Sequence, residues 1–392
     1  MIDRESCELL RAIAQRPASA TAQRIDGLVE SIRDWDSLLK LAREHGMQSM
    51  LFSRLSDLGP AIPPDVQNHL RAEYNRNLLQ SLANAVELIG LLEALDLQGI
   101  PAMPFKGVVL GASVYGDLTT RPAGDLDVLI HHRHLARATA VLRERGCELK
   151  TPIRADGTRV DPRGYEYHFE RERDGMTIEL RWRLGLTEPK FRFRHNLGLD
   201  WVWTHRRITR LAGAAVPDLD PEITLLVLCM HGSKHAWSRL IWICDVAQLL
   251  DSFPKLDWEE VTREAKRVGL WRALVLGVLL AHRVTGATVP QAILRCFESE
   301  AGVCSLAGHI QENFFEAPGS PPMGRVAYGI HLLEFHDRVR LLLSQQGLQL
   351  SREVLRPNEK DRAAVHLPPS LDFLYYLVRP VRLLRQRAAK QG

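Results

Sequence analysis

Apolar positions along the 392-residue chain change their period twice. Over the first hundred residues they recur at spacings of three and four. Leu9, Leu10, Ile13 and Ala14 form one stripe, a second helix is expected over 21–32, and Leu38, Leu39, Leu41 and Ala42 form the next. After the break at Pro60, Pro63 and Pro64, a long run follows with Leu70, Tyr74, Leu78, Leu82, Ala85, Leu88, Leu91 and Leu92. This spacing predicts a helix over 66–97, ended by Gly99. Period two then appears. Ile178, Leu180, Trp182 and Leu184 alternate with Thr177, Glu179, Arg181 and Arg183, which is the mark of a half-buried strand. Further strands are expected over 100–105 and 125–130, with a hairpin of 165–170 and 176–184 about Asp174-Gly175. Helices are expected over 108–115 and 135–145. From about 220 to 345 the pattern is helical again, and Pro221-Glu222 opens a helix that the pattern carries to residue 250. The predicted class is α+β: a small mixed β-sheet core (100–215) embedded between an N-terminal helical region (1–99) and a C-terminal one (216–350), with a basic tail over 351–392.

The chemistry concentrates in the stretch FKGVVLGASVYGDLTTRPAGDLDVLI, residues 105–130. Asp125 and Asp127 lie two apart at the start of an apolar run, so a strand points both carboxylates the same way. Two such groups repel unless a cation sits between them, and hard divalent ions such as Mg²⁺ select carboxylate oxygens. Lys106-Gly107 and Arg121 flank the pair, a combination suited to a triphosphate. Glu179 stands on the polar face of the 176–184 strand. If that strand pairs beside the 125–130 strand, Glu179 completes a three-carboxylate cluster; if not, it is salt-bridged to Arg181 or Arg183. On a helix running to 250, His231, Lys234, His235, Ser238, Trp242 and Asp245 fall within an arc of roughly 100°. A polar stripe on an otherwise apolar helix must be satisfied. It therefore faces either a polar network, such as a histidine or Lys234 bonded to Asp245, or a ligand. His231 and His235 have the i, i+4 spacing of a zinc pair, but Gly232 stands where a general-base Glu would be and no third ligand is evident.

These stretches resemble a known family. F-K-G-x-x-L with Tyr115, R-P-x-G-D-L-D-V-L-I, I-E-L-R-W-R-L and H-G-S-K-H-A-W-S-R-L-I-W-I-C-D-V are similar to proteins grouped as an uncharacterised nucleotidyltransferase family. The tail, with L-P-P-S-L and Y-Y-L-V-R-P-V-R-L-L, is similar too, so the resemblance covers most of the chain. It implies a polymerase-β-like nucleotidyltransferase fold, two Mg²⁺ ions and an NTP co-substrate, with ATP the first expectation. Asp125, Asp127 and Glu179 become the implied catalytic and metal-binding set. Lys106, Gly107, Arg121, His231, Lys234 and His235 become the implied nucleotide-binding set, with Lys234 expected at the triphosphate. Members of the wider superfamily carry Gly-Ser at the start of the helix; here Gly107 is followed by Val108, so phosphate contact falls to Lys106 and backbone N–H groups. The implied reaction moves an NMP from an NTP to a hydroxyl or phosphate of a small molecule or a natural-product peptide and releases pyrophosphate. Toxin-like modification of a protein or RNA, or a non-catalytic nucleotide-binding module, are the competing readings.

Composition adds little beyond this. The 45% hydrophobic content suffices for a large core. A net charge of +4 suits an anionic nucleotide and gives no strong nucleic-acid signal. The tail RPVRLLRQRAAKQG offers at most a weak anionic contact. Six scattered cysteines without a C-x-x-C pair read as reduced thiols of a cytoplasmic protein. The N-terminus lacks signal-peptide character, and no uncharged apolar run reaches the length of a transmembrane helix.

Overall fold

The computed structural model describes residues 4–16, 19–56, 62–151, 165–184, 199–315 and 330. The chain divides into two compact units, 1–334 and 335–392, and the second lies outside the described residues. So do the expected basic tail, residues 152–164 of the polar stretch 150–164, and the basic stretch 190–194.

The first unit is mixed α and β, as expected. Four helices lead: α1 (Arg4–Ala14), α2 (Ser19–Ser31), α3 (Trp35–Glu44) and α4 (Gln48–Leu55). The 34-residue α5 (Pro64–Leu97) follows, opened by Pro at its first turn where no N–H is needed. The main sheet consists of β1 (Ala102–Pro104), β2 (Asp125–Ile130), β3 (Cys147–Leu149), β4 (Glu166–Arg171) and β5 (Met176–Arg181), in the order β1-β2-β5-β4-β3. β2 and β5 run parallel and the other pairs antiparallel. The helix α6 (Gly107–Leu110) and a π-helical turn (Gly111–Tyr115) connect β1 towards β2, and α7 (Leu135–Glu144) connects β2 to β3.

One sheet face is apolar. Leu126, Val128, Ile130, Ile178 and Leu180 pack there with Ala85, Leu88, Leu91 and Leu95 of α5 and with Ala138, Val141 and Leu142 of α7. The opposite face carries Asp125, Asp127, Glu179, Arg181, Glu166 and His168, as strand alternation requires. Val66 and Leu70, at the other end of α5, belong to a second core built mainly of helices. By length and composition α5 could cross a membrane, yet its two ends are divided between these two cores. Its buried face departs from the expected apolar stripe. Leu82 is exposed, whereas Ser81, Asn84 and Glu87 are buried. Asn84 Nδ2 donates to the Ala123 carbonyl at 2.9 Å, and Glu87 pairs with Arg145 and Arg171 at 2.6 and 2.7 Å. For Asn84 and Glu87, partners on neighbouring elements, not periodicity, choose the face.

After α8 (Leu199–Thr204) comes a hairpin that the sequence pattern did not announce, β6 (Arg206–Leu211) and β7 (Ala214–Leu219). It runs across the expected core boundary at 215. Ala212 and Gly213, both at positive φ, make its two-residue turn.

The helix expected from 221 to 250 is two helices, α9 (Pro221–Lys234) and α10 (Leu240–Ser252). The cause is Trp237. Ala236 and Trp237 adopt left-handed φ of 52° and 51°, and the Trp237 ring turns back to full burial against two glycines. A Cβ on Gly232 would lie 2.5 Å from that ring, and one on Gly277 would lie 3.0 Å from it. Gly277 belongs to α12 (Trp271–Thr285), which packs beside α11 (Trp258–Val268), α13 (Gln291–Glu298) and α14 (Ala301–Glu312). The start of α10 is fixed from the N-terminal side. His45 Nδ1 accepts the Leu240 N–H at 3.3 Å, the His45 carbonyl accepts from Ile241 at 3.2 Å, and Arg239 donates to the Glu44 carbonyl at 3.0 Å.

Two predictions follow from this packing. Gly232→Ala forces a methyl into the Trp237 ring and is expected to lower stability by about 2–3 kcal/mol in denaturant titration. Burial, helped by the Arg239 charge, holds the His45 imidazole down at about 4, so the folded protein keeps it neutral while the unfolded chain protonates near 6.5. Stability from this group is therefore intact above pH 6.5 and is lost as pH falls towards 4. His45→Gln should lose about 2 kcal/mol less than the natural protein between pH 7 and pH 5.

Candidate active site

The register of the parallel pair decides the site. Asp127 lies opposite Glu179, so the strand carrying Glu179 does pair beside the Asp125 strand. Ligand oxygens of Asp125, Asp127 and Glu179 lie within 4.8 Å of one another. The fit of a cation is judged from the carboxylates themselves. Asp127 is 3% exposed, and its Oδ1 has no hydrogen-bond donor. Arg181 Nε stands 3.2 Å from that oxygen, at ion-pair distance but not aligned for a hydrogen bond. Burial pushes the Asp127 carboxyl above its ordinary range, and Lys106 and Arg181 offset this only in part. A buried carboxylate with an unbonded oxygen beside two others fits a hard divalent cation.

Lys106 Nζ is 3.0 Å from Asp127 Oδ2. It is held there by unusual backbone, with φ 59° and ψ −151°, in a region that suits glycine. Gly107 follows at φ 47°, where a Cβ would stand 3.1 Å from the Asp125 carbonyl. Lys106-Gly107 thus folds tightly over the end of β2. The helix expected over 108–115 forms across that span, but only its first turn is α: α6 passes directly into the π-helical turn. A single turn carries little of a helix dipole, which leaves the Lys106 side chain as the principal positive group of this loop.

Arg121 arrives on a loop fastened at several points. Asp117 accepts hydrogen bonds from the Thr119 and Thr120 N–H groups, and Asn77 and Asn84 of α5 donate to the Thr119 and Ala123 carbonyls. Arg121 Nε then donates to Asp245 Oδ1 at 2.8 Å, and the Tyr115 hydroxyl donates to the same oxygen at 2.8 Å. Asp245 is thereby bonded to Arg121 and Tyr115, which corrects the expected partnership with a histidine or with Lys234. Among the described residues no ion pair joins Lys234 to Asp245. Lys234 Nζ is 3.5 Å from the Tyr165 hydroxyl instead.

A cavity of about 310 Å³ opens above Asp125 and Asp127, at the lower end of the range for small-molecule clefts, and Glu179 stands behind them outside its lining. Lys106, Gly107, Arg121, Asp125, Asp127 and His231 line it, with Arg239 and Trp242 from the start of α10. His231, His235 and Trp242 form an aromatic cluster with ring centroids 4.8–5.2 Å apart. Burial and neighbouring cations keep both imidazoles neutral: His231 is held well below its ordinary value and His235 at about 4. Among the described residues no group of three metal-type ligands includes these histidines. Lys234 and His235 do not line this cavity.

Sequence reading missed Glu166, His168, Arg239 and the weight of Arg181. Glu166 lies opposite Arg181, and His168 opposite Glu179. Burial raises the Glu166 carboxyl, but the His168 hydrogen bond and the Arg181 and Lys234 charges outweigh it and bring it to about 2. The signal was present: the Asp174-Gly175 turn sets a register that puts both residues on the acidic face.

The sheet, its parallel carboxylate-bearing pair and the helices beside it are those of a nucleotidyltransferase fold. A family model described as uncharacterised nucleotidyltransferase matches residues 31–286, and the chain belongs to that family. A comparison with curated proteins finds no match. Solved structures with partial likeness include the lincosamide antibiotic adenylyltransferase LnuA bound to lincomycin, at 14% identity over 36% of this chain and 82% of that one, TM-score 0.27. Another is ANT(2")-Ia with adenylyl-2"-tobramycin, at 11% identity over 46% and 94%, TM-score 0.33. A third is an antigenic nucleotidyltransferase-like protein from Paracoccidioides brasiliensis, at 17% identity over 50% and 92%, TM-score 0.30. Membership of the family rests on the family match.

The strained Lys106 backbone yields a prediction. Lys106→Gly and Lys106→Ala both remove the ammonium from Asp127, but only glycine relaxes the φ of 59°. Lys106→Gly should be the more stable of the two by about 1 kcal/mol in thermal or denaturant unfolding.

Proposed function

We propose that the protein transfers an NMP group from a nucleoside triphosphate, ATP in the first instance, to a hydroxyl of a small acceptor. The observation that carries this reading is the buried Asp127 oxygen without a donor, set beside Asp125 and Glu179 beneath a cation-lined cavity. Asp125, Asp127 and Glu179 would hold a divalent cation, with Mg²⁺ the natural candidate for an all-oxygen set. Bound there, it would supply Lewis-acid activation at phosphorus and neutralise charge on the departing pyrophosphate.

The chain's own residues account for the remainder. Lys106, which lines the cavity, offers its ammonium to the phosphates when a cation takes over Asp127. Arg121, oriented by Asp245, and Arg239 neutralise further triphosphate charge, since phosphoryl-group chemistry depends mainly on positioning and electrostatics. Lys234, at the end of α9, supplies additional positive charge near Glu166. Neutral His231 and Trp242, which line the cavity, would meet the base, with His235 packed behind them. The acceptor oxygen attacks the α-phosphorus, the bond to the bridging oxygen breaks, and pyrophosphate leaves. The acceptor proton passes to Glu179, whose Oε1 is 3.4 Å from His168 Nδ1.

Calorimetric titration with non-hydrolysable analogues of the four NTPs, with Mg²⁺ or with EDTA, tests this. One analogue should bind only with metal, and Asp125→Ala/Asp127→Ala should abolish that binding while the thermal melt shows an intact fold. Absence of binding by all four would favour a non-catalytic module.

A further inference from the structure

The acidic face contains more than three carboxylates, and it already contains a cation. Arg181 is one strand repeat beyond Glu179 on β5, and Glu166 stands opposite it on β4. Its Nε lies 3.2 Å from Asp127 Oδ1, its Nη2 lies 3.0 Å from Glu166 Oε2, and the same Nη2 pairs with Glu179 Oε2. The side chain is 12% exposed, and its guanidinium lies over two rings, 5.7 Å from the Phe105 centroid and 5.8 Å from that of Tyr165. This packing restrains it. An arginine also cannot give up its proton in a protein.

We infer that Arg181 occupies the cation position between Asp127, Glu179 and Glu166, so that the cluster takes up one divalent ion, on the Asp125–Asp127 side, in place of the two that such sites are expected to hold. Both Glu179 oxygens are engaged, one by Arg181 and the other by His168. Asp125 has no ion pair among the described residues, and Asp127 Oδ1 keeps an unbonded lone pair. A second ion between Asp127 and Glu179 would stand at contact distance from a permanent positive charge, with a strong repulsion at that depth. In the transfer reaction Arg181 would then steady Glu179 and the developing charge where a second metal acts in two-ion sites.

This inference rests on the reading of the carboxylates as a metal site, and the test separates the two. Mn²⁺ alone is titrated into the full-length protein and bound ion is counted by loss of the free-ion electron paramagnetic resonance signal. The natural protein should saturate at one Mn²⁺ per chain. Arg181→Lys, which keeps the charge, should also bind one, and Arg181→Met should bind two. Asp127→Asn should weaken the single site by about tenfold or more. Two ions bound by the natural protein, or a folded Arg181→Met variant that still binds one, would overturn the role of Arg181 while leaving the metal site standing. No Mn²⁺ taken up at millimolar metal would overturn both. If Arg181→Met does not fold, the counts for the natural protein and Arg181→Lys remain decisive: two ions in either one refutes the assignment.

Discussion

A carboxylate buried in a sheet has to be neutralised, and much of this molecule is arranged around that need at Asp127. Lys106 reaches it from the β1–α6 loop through backbone that only glycine adopts freely. Arg181 reaches it from the neighbouring strand, packed on Phe105 and Tyr165. Neither closes a complete set of hydrogen bonds on it. The site is thus charged, largely buried and incompletely satisfied, the condition under which a hard cation gains most from binding.

The helical part serves the same point from above. Trp237, wedged against Gly232 and Gly277, ends α9 and redirects the chain into α10. That break places Arg239 and Trp242 at the cavity and lets Asp245 bind Arg121 and Tyr115. The buried Arg121–Asp245 pair joins the loop before β2 to α10. Removing either partner would strand a charge, so the pair fixes geometry more than it adds net stability. His45 performs a related duty, linking the end of α3 to the first turn of α10 through a nitrogen that accepts only while neutral.

The stretches that could be read from sequence were those whose periodicity coincides with one buried face. β2 has the expected bounds of 125–130, and the Asp174-Gly175 hairpin forms as anticipated. The convergence of Asp125, Asp127 and Glu179, conditional on a strand pairing, occurs. Where several partners compete for a residue, periodicity failed. Asn84 and Glu87 took the inside of α5 because a loop carbonyl and two arginines offered them bonds, and the β6–β7 hairpin was hidden because its strands alternate arginines with few large apolar groups.

What the sequence determined by itself was the fold class, the family and the acidic strands, because alternation and local motifs depend only on neighbours along the chain. What only the tertiary structure decided was the identity of each charge's partner. Lys234 meets Tyr165 and not Asp245; Asp245 meets Arg121; Arg181 meets three carboxylates at once. Ion pairing depends on distances between segments far apart in sequence, and on burial that removes water as the competing partner, and neither quantity is written in any local pattern.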